Sequence, residues 1–476
     1  MKIKIGILAS IVILFCFLTA VLYGNFIPDD TFIHIGFAKD IAAGKGFSFA
    51  GNKTFGSTAP LWPLLIALFS FLVGNLETTA KLLSLAFGVC AIGLFFSTAV
   101  HRWGVKKGAL ATLLLSFNPY MLRWAGTGME ATASVFWMTL FLAVLLRKDR
   151  EYTSRWYYFA LGFAPLIRPE FYLVGFLFLL FKLFDRSISF SQILFFLIPI
   201  VLWNSFAALY FGTVVPSTFL AKAHDKFFAI EAHTAIRSLK LFLTLNPIEL
   251  LCIVGTLCFI LFFRSSSKKR SSLFDKTNIS LFLIIVAIYG YYVLKNVTII
   301  SRHILFTLPV MITLAIESLT VIDYNSQFKK IVYSLVLGGL LLYSTIFTSV
   351  IVYPDAVRVS KGFQQEYRKI ARLLYEQPGN NKSVASSEVG IIGVYSGCKI
   401  YDFNGLVDRE RFQYSSGEEY VRSKHPDFII TRGEFDISTI APSEASVEKI
   451  YETTFTGMGI NETLPVHVTV YAIHWL

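Results

Sequence analysis

Hydrophobic residues in this chain fall in long blocks separated by short polar punctuation. This is neither the alternation of half-buried strands nor the narrow stripe of a soluble amphipathic helix. The first block is Ile5–Tyr23, behind Lys2 and Lys4. It is followed by Lys81–Val100, Ala109–Leu122, Ala131–Leu146, Trp156–Ile167, Phe171–Phe184, Ile193–Tyr210, Pro247–Phe263, Ile279–Leu294, Ile304–Ile322 and Ile331–Val352. A straight span needs about 20 apolar residues. Several blocks are shorter, which is tolerable where neighbours or a cavity satisfy the backbone. The pattern predicts a polytopic α-helical membrane protein of about 11 transmembrane helices.

The blocks stop near Val352. Beyond it the pattern predicts helices at Gly362–Gln377, Val389–Tyr395 and Gly417–Lys424. Strands are predicted at Ser383–Ser386, Lys399–Phe403, Asp427–Thr431, Val447–Phe455 and Val466–Trp475. Alternating strand and helix read as a small α/β domain with a partly parallel sheet. The chain thus divides into a membrane part, 1–352, and an α/β domain, 353–476.

Composition agrees. The chain is 55% hydrophobic and 16% charged, with a mean hydropathy of +0.60. Soluble chains are about a quarter charged. A soluble enzyme, a disordered chain and a disulfide-stapled secreted domain are excluded. The five cysteines form no C-x-x-C pair, so no zinc site is written in the sequence.

Charge orients the helices. The net charge is +12, yet residues 353–476 carry 13 Lys and Arg against 16 Asp and Glu. The basic surplus therefore belongs to the membrane part. It sits in alternate loops: Arg102/Lys106/Lys107, Arg147/Lys148/Arg150/Arg155, Lys182/Arg186, Arg264/Lys268/Lys269/Arg270 and Lys329/Lys330. All five fall on the cytoplasmic side if Ile5–Tyr23 is a retained anchor running outward. This is loop anchoring and not a nucleic-acid groove. Segment 24–80 and the α/β domain then lie outside the plasma (inner) membrane. Leu61–Val73 must rest in the outer surface without crossing.

The candidate chemistry lies on that outer side. Asp29 and Asp30 follow the first anchor and open an amphipathic pattern, with His34 four residues after Asp30. They either cap a helix or form a general base or metal-binding pair. Gly44 and Gly46 end that helix, and Trp62 suits a headgroup belt. Glu130, Arg168, Glu170, Lys222 and Arg302 come from separate outer turns. Each has a plainer alternative: capping for Glu130, local pairing for Arg168 with Glu170, snorkelling for Lys222 and Arg302.

The string DDTFIHIGFAKDIAAGKGFSFAGNKTFGSTAPLWPLL resembles the first outer loop of the GT-C glycosyltransferase superfamily. The likeness is nearest to the bacterial terminal arabinofuranosyltransferase-like branch. Thr127-Gly128-Met129-Glu130-Ala131 is similar to that branch's Gly-Leu-Glu-Thr, and Arg168-Pro169-Glu170 to its Arg-Pro-Glu. Tyr210-Phe211-Gly212 with Pro216-Ser217-Thr218-Phe219-Leu220-Ala221-Lys222 is similar to its Tyr-Phe-Gly and Pro-Asn-Thr-Phe-x-Ala-Lys. Ser217 and Ala131 depart from that pattern.

The resemblance implies a membrane glycosyltransferase that moves a sugar from a polyprenyl-phosphate donor to an envelope glycan, lipid or protein acceptor, with inversion. Asp29 and Asp30 are the expected catalytic carboxylates, with a divalent metal ion as a candidate cofactor between them. Arg168, Lys222 and Arg302 are expected at the donor phosphate, and His34, Trp62, Glu130 and Glu170 at the substrate. Membrane lipids are the surrounding partners. An oligosaccharide ligase or polymerase is the nearest alternative. A transporter or flippase is more distant, since matching inverted halves are not seen in the sequence.

Overall fold

The computed structural model describes residues 2–147, 150–221, 231–262, 275–297, 299–321, 326–433, 437–441, 445–460 and 462–475. Lys222 and the basic loop Arg264/Lys268/Lys269/Arg270 lie outside the described residues, as does Lys148.

Among the described residues, six helical stretches are long and apolar enough to cross a membrane: Lys2–Tyr23, Leu76–Ser116, Phe190–Phe211, Lys276–Leu294, Ser301–Thr320 and Lys330–Glu376. A seventh arises if Ala232–Leu245 and Pro247–Cys258, bent by 88°, form one broken span. Three differences from the block pattern have local causes. Leu76–Ser116 breaks at Gly104 (φ 81°, ψ 173°), a left-handed position that glycine adopts freely, so two expected spans meet at one kink. Trp156–Ile167 is a seven-residue helix, Arg155–Leu161, followed by a 3-10 turn at Ala164–Leu166. Glycine and proline at 162 and 165 interrupt it. The last span does not stop at Val352 but runs on through wide π turns into Gln365–Glu376.

Segment 24–80 is packed inside the assembly, not draped on it. Its helix Asp29–Ala42 starts after Pro28. Acidic residues in the first turn suit the positive helix end. Gly44 and Gly46 (φ 75° and 77°) then reverse the chain into the small hairpin β1 (Ser48–Phe49) and β2 (Asn52–Lys53). Phe32, Phe37, Phe49 and Trp62 have no exposed surface. Phe55 stacks on Phe211 at 5.2 Å, pinning the following turn to the span Phe190–Phe211. Leu61–Val73 is a helix with one buried side and an exposed row including Leu68, Phe71 and Leu72, as a surface-resting helix requires.

The C-terminal domain is a five-stranded sheet. Its strands are β3 (Ser383–Ser386), β4 (Lys399–Asp402), β5 (Phe428–Arg432), β6 (Ser446–Thr456) and β7 (Pro465–His474), in the order β4-β3-β5-β7-β6. β3 pairs parallel with β4 and β5, while β7 runs antiparallel to β5 and β6. The short helix Gly390–Tyr395 crosses from β3 to β4 and packs on Asp29–Ala42. That contact seats the domain over the first-loop helix.

Candidate active site

Four separate segments converge beneath the C-terminal domain. Asp30 and His34 sit four residues apart on one face of the first-loop helix. Glu130 precedes Ala131–Leu146, Arg168 opens the turn before Glu170–Phe184, and Arg302 and His303 lie in the short helix Ser301–Ile304. All six line one small hollow of about 70 Å³, with Thr58, Thr218 and Leu406.

Its charges are ordered by ion pairs. Arg168 is buried and clamped twice. Its Nη1 donates to Glu130 Oε1 at 2.9 Å, and its Nε and Nη2 donate to the two oxygens of Glu170 at 3.1 and 2.9 Å. The Tyr292 hydroxyl donates to Glu170 as well. Arg302 donates to Asp30. In that pair 9% of the arginine side chain is exposed against 39% of the aspartate, so Asp30 is the member a substrate can reach. His34 Nε2 lies 3.4 Å from Glu130 Oε2. Among the described residues, His34 Nδ1 and Glu130 Oε2 have no hydrogen-bond partner. Buried polar atoms are nearly always satisfied, so these two atoms are open positions of the network, Glu130 Oε2 being held only by the His34 ring it faces.

Thr58 is the junction of three cavities. Thr58, Arg168, Thr218 and His303 pass from the hollow into a polar cavity of about 320 Å³ that also meets Tyr292 and Lys295. Thr58, Pro169, Glu170, Phe219 and Tyr291 pass in turn into a groove of about 470 Å³ walled by Phe55, Leu166, Leu173, Trp203 and Val215. The path thus runs from apolar walls between membrane helices to a carboxylate–guanidinium centre.

The aspartate pair divides. Adjacent residues on a helix point about 100° apart, and Asp29 turns away from the hollow. Its carboxylate accepts the backbone N–H of Gly390 at 2.9 Å and of Ile391 at 3.0 Å. It caps neither its own helix nor faces the cavity. Gly390 is required there, since a Cβ would lie 2.4 Å from the Asp29 carbonyl oxygen. Burial pushes the Asp29 carboxyl up to about 7, against the pull of the Ile391 N–H, and the Asp30 charge adds to the rise. Burial likewise pushes Glu388 up to about 8, with the Asp29 charge reinforcing it and Arg432 opposing it. Asp402 is raised to about 6 by burial although the Val407 and Asn404 N–H groups bond it. These bonds fold the turn that presents Leu406 to the hollow. Ser217 joins first loop and domain. Its hydroxyl lies 3.0 Å from the Phe55 carbonyl and 3.2 Å from that of Leu406.

Asp29→Ala leaves two buried N–H groups without an acceptor, each costing about 1–3 kcal/mol. Amide exchange across 383–402 is expected to quicken while the membrane helices keep their protection. An unchanged exchange map would show that this carboxylate does not hold the domain.

The donors do not fit a metal ion between Asp29 and Asp30. One carboxylate is turned to two amides and the other to a guanidinium. Among the described residues no group of three His, Cys, Asp or Glu side chains is arranged to hold one. Trp62 is also displaced from its expected role. It is buried inside the protein and its indole N–H donates to the Gly128 carbonyl at 2.9 Å, so it meets neither headgroups nor the hollow. Glu130 makes no capping bond to its helix. Thr58, Tyr292, Lys295 and His303 were not singled out from the sequence. His303 had a signal in its adjacency to Arg302, and Lys295 in ending an aromatic apolar run.

Solved structures share this fold. ArnT from Cupriavidus metallidurans bound to undecaprenyl phosphate matches with a TM-score of 0.63 at 13% identity, over 98% of both chains. The apo form of the Archaeoglobus fulgidus oligosaccharyltransferase matches with 0.57 at 11% identity, over 91% of this chain and 70% of that one. A family model described as a domain of unknown function (DUF8728) matches residues 356–471. No curated protein matches the chain. The expected architecture is therefore present: the chain shares the fold of these structures, a body of long apolar helices followed by a C-terminal α/β domain.

Proposed function

We propose that this protein is a membrane glycosyltransferase that moves one sugar from a polyprenyl-phosphate donor to an acceptor hydroxyl on the extracytoplasmic face, with inversion. The observation that carries this reading is the row of three adjoining cavities, from apolar groove to ionic hollow, that share Thr58 in their walls. A polyprenyl chain needs apolar walls reached sideways from the bilayer, and its phosphate needs cations at the inner end. ArnT, of the same fold, binds undecaprenyl phosphate.

In this reading Asp30 takes the proton of the acceptor hydroxyl. The oxygen attacks the anomeric carbon from the face opposite the phosphate. The anomeric C–O bond breaks and its electron pair leaves on the phosphate. Arg302 and Lys295, both lining the polar route, neutralise that charge. Arg168 is spent on two carboxylates and serves to shape the site more than to meet the phosphate. His34 Nδ1 and Glu130 Oε2 receive hydroxyl groups of the sugar. The polar cavity of about 320 Å³ is at the small end of ligand sites, which favours a single sugar over a preassembled chain. The motif resemblance supports kinship with the terminal arabinofuranosyltransferase-like branch.

The test uses membranes containing the protein and radiolabelled polyprenyl-phosphate sugar, with label followed into envelope material. Transfer that needs Asp30 supports the reading, and no transfer from any such donor sinks it. Leu173→Trp, which fills the apolar groove, is expected to raise the KM for donor about tenfold or more with little change in acceptor KM. An unaltered donor KM would place the lipid elsewhere.

A further inference from the structure

A second hollow, of about 460 Å³, opens on the other side of the first-loop helix, between that helix with its hairpin and the C-terminal domain. Among the described residues, Lys39, Lys45, Lys382 and Lys399 line it, with Asp40 as the one carboxylate. Asp40 is buried and already accepts the Ser48 hydroxyl at 2.9 Å, with Lys45 3.9 Å away. Lys382 spends its three N–H groups on the carbonyls of Leu374, Tyr375 and Gln377, and so contributes charge but no donor. Lys39 gives one N–H to the Val394 carbonyl. Lys45 and Lys399 stand exposed at the rim. The remaining walls are mostly glycine, with Ala50, Asn381 and Cys398 and no large apolar side chain.

We infer that this crevice binds an anionic group, phosphate or carboxylate, carried on the acceptor glycan. The identification of the ligand as acceptor rests on the proposed transferase activity, while the anion site itself does not. Four cations against one occupied carboxylate leave a positive field in a concave wall. Small and glycine walls suit hydroxylated rings and offer nothing to an acyl chain, which favours a glycan over a lipid headgroup. The geometry also fits a shared acceptor. Asp30 and Lys39 lie on one helix nine residues apart, about 14 Å at 1.5 Å per residue. Nine residues also turn the helix through a net half revolution, so it is a glycan of several units, passing round the helix from Asp30, that seats a charged unit in the crevice.

The experiment uses the full chain in nanodiscs of neutral lipid. Binding of a phosphorylated oligosaccharide is compared with that of its dephosphorylated counterpart. The phosphorylated probe is expected to bind more tightly, with an affinity that falls as salt rises. Lys45→Gln/Lys399→Gln, a double variant at exposed positions, is expected to weaken it about tenfold and leave polyprenyl-phosphate binding unchanged. Equal binding of the two probes, or a double variant that binds like the parent, overturns the site. Loss of probe binding on adding anionic phospholipid to the nanodisc assigns the crevice to headgroups and also overturns it. Asp30→Asn separates the two readings. It is expected to stop transfer and keep probe binding, and a parent protein that binds the probe but transfers no sugar refutes the activity and not the anion site.

Discussion

Asparagine in place of Asp30 is expected to lower sugar transfer by about 10²–10⁴-fold while the protein still folds and inserts. The amide keeps an oxygen for Arg302 to bond, so the ion-paired scaffold loses charge but not a partner. What it cannot do is accept the acceptor proton. The readout is the initial rate with labelled donor at matched protein levels, together with polyprenyl-phosphate binding. The rate should collapse while binding changes little, because the apolar groove lies beyond Thr58 and is untouched. Asp30→Glu is expected to restore a fraction of the rate, since it returns a carboxylate displaced by one methylene. If Asp30→Asn stays within threefold of the parent, some other group takes the proton. A parallel Asp29→Asn variant sharpens the contrast. Its defect should appear in domain attachment, because both Asp29 oxygens are occupied by backbone amides.

That division of labour explains what the sequence could and could not reveal. The residue types were legible: carboxylates and cations at the outer ends of apolar blocks, in chain order, are uncommon enough to mark a site. Asp30, Glu130, Arg168 and Arg302 do gather in one hollow, with Glu170 bonded to Arg168 beside it. Which carboxylate of the pair faces inward was not legible. The choice depends on a partner 361 residues downstream, and nothing local encodes the rotation of the first-loop helix. Trp62 failed for a related reason. An aromatic beside a surface helix suits the bilayer interface when read alone, but tertiary packing against Gly128 removes it from lipid. The strands of the C-terminal domain were legible because turn residues bound short β-branched runs. Helix breaks were less so. The kink at Gly104 and the interrupted stretch after Leu161 are backbone events within composition that still reads apolar.

Arg168→Leu is expected to be the most destabilising single change in the site. It removes the guanidinium that bonds both Glu130 and Glu170, each of which is buried. Breaking a buried ion pair by deleting one member costs about 3–5 kcal/mol, because the remaining charge is left without compensation. Here two carboxylates are stranded together, and their repulsion adds to the desolvation. Arg168→Lys is expected to rescue little. An ammonium cannot reproduce the fork that bonds both Glu170 oxygens while reaching Glu130. The measurement is the fraction surviving as a monodisperse peak after heating in detergent, set beside transfer activity. A triple variant, Arg168→Leu with Glu130→Gln and Glu170→Gln, removes the stranded charges. It should regain much of the lost stability, since replacing a whole buried ionic group is often neutral. Its activity should stay low, because Glu130 no longer offers a charged oxygen beside His34 to a sugar hydroxyl. Recovery of both properties would make the cluster a structural filler. Recovery of stability alone would assign it to the chemistry that the hollow performs.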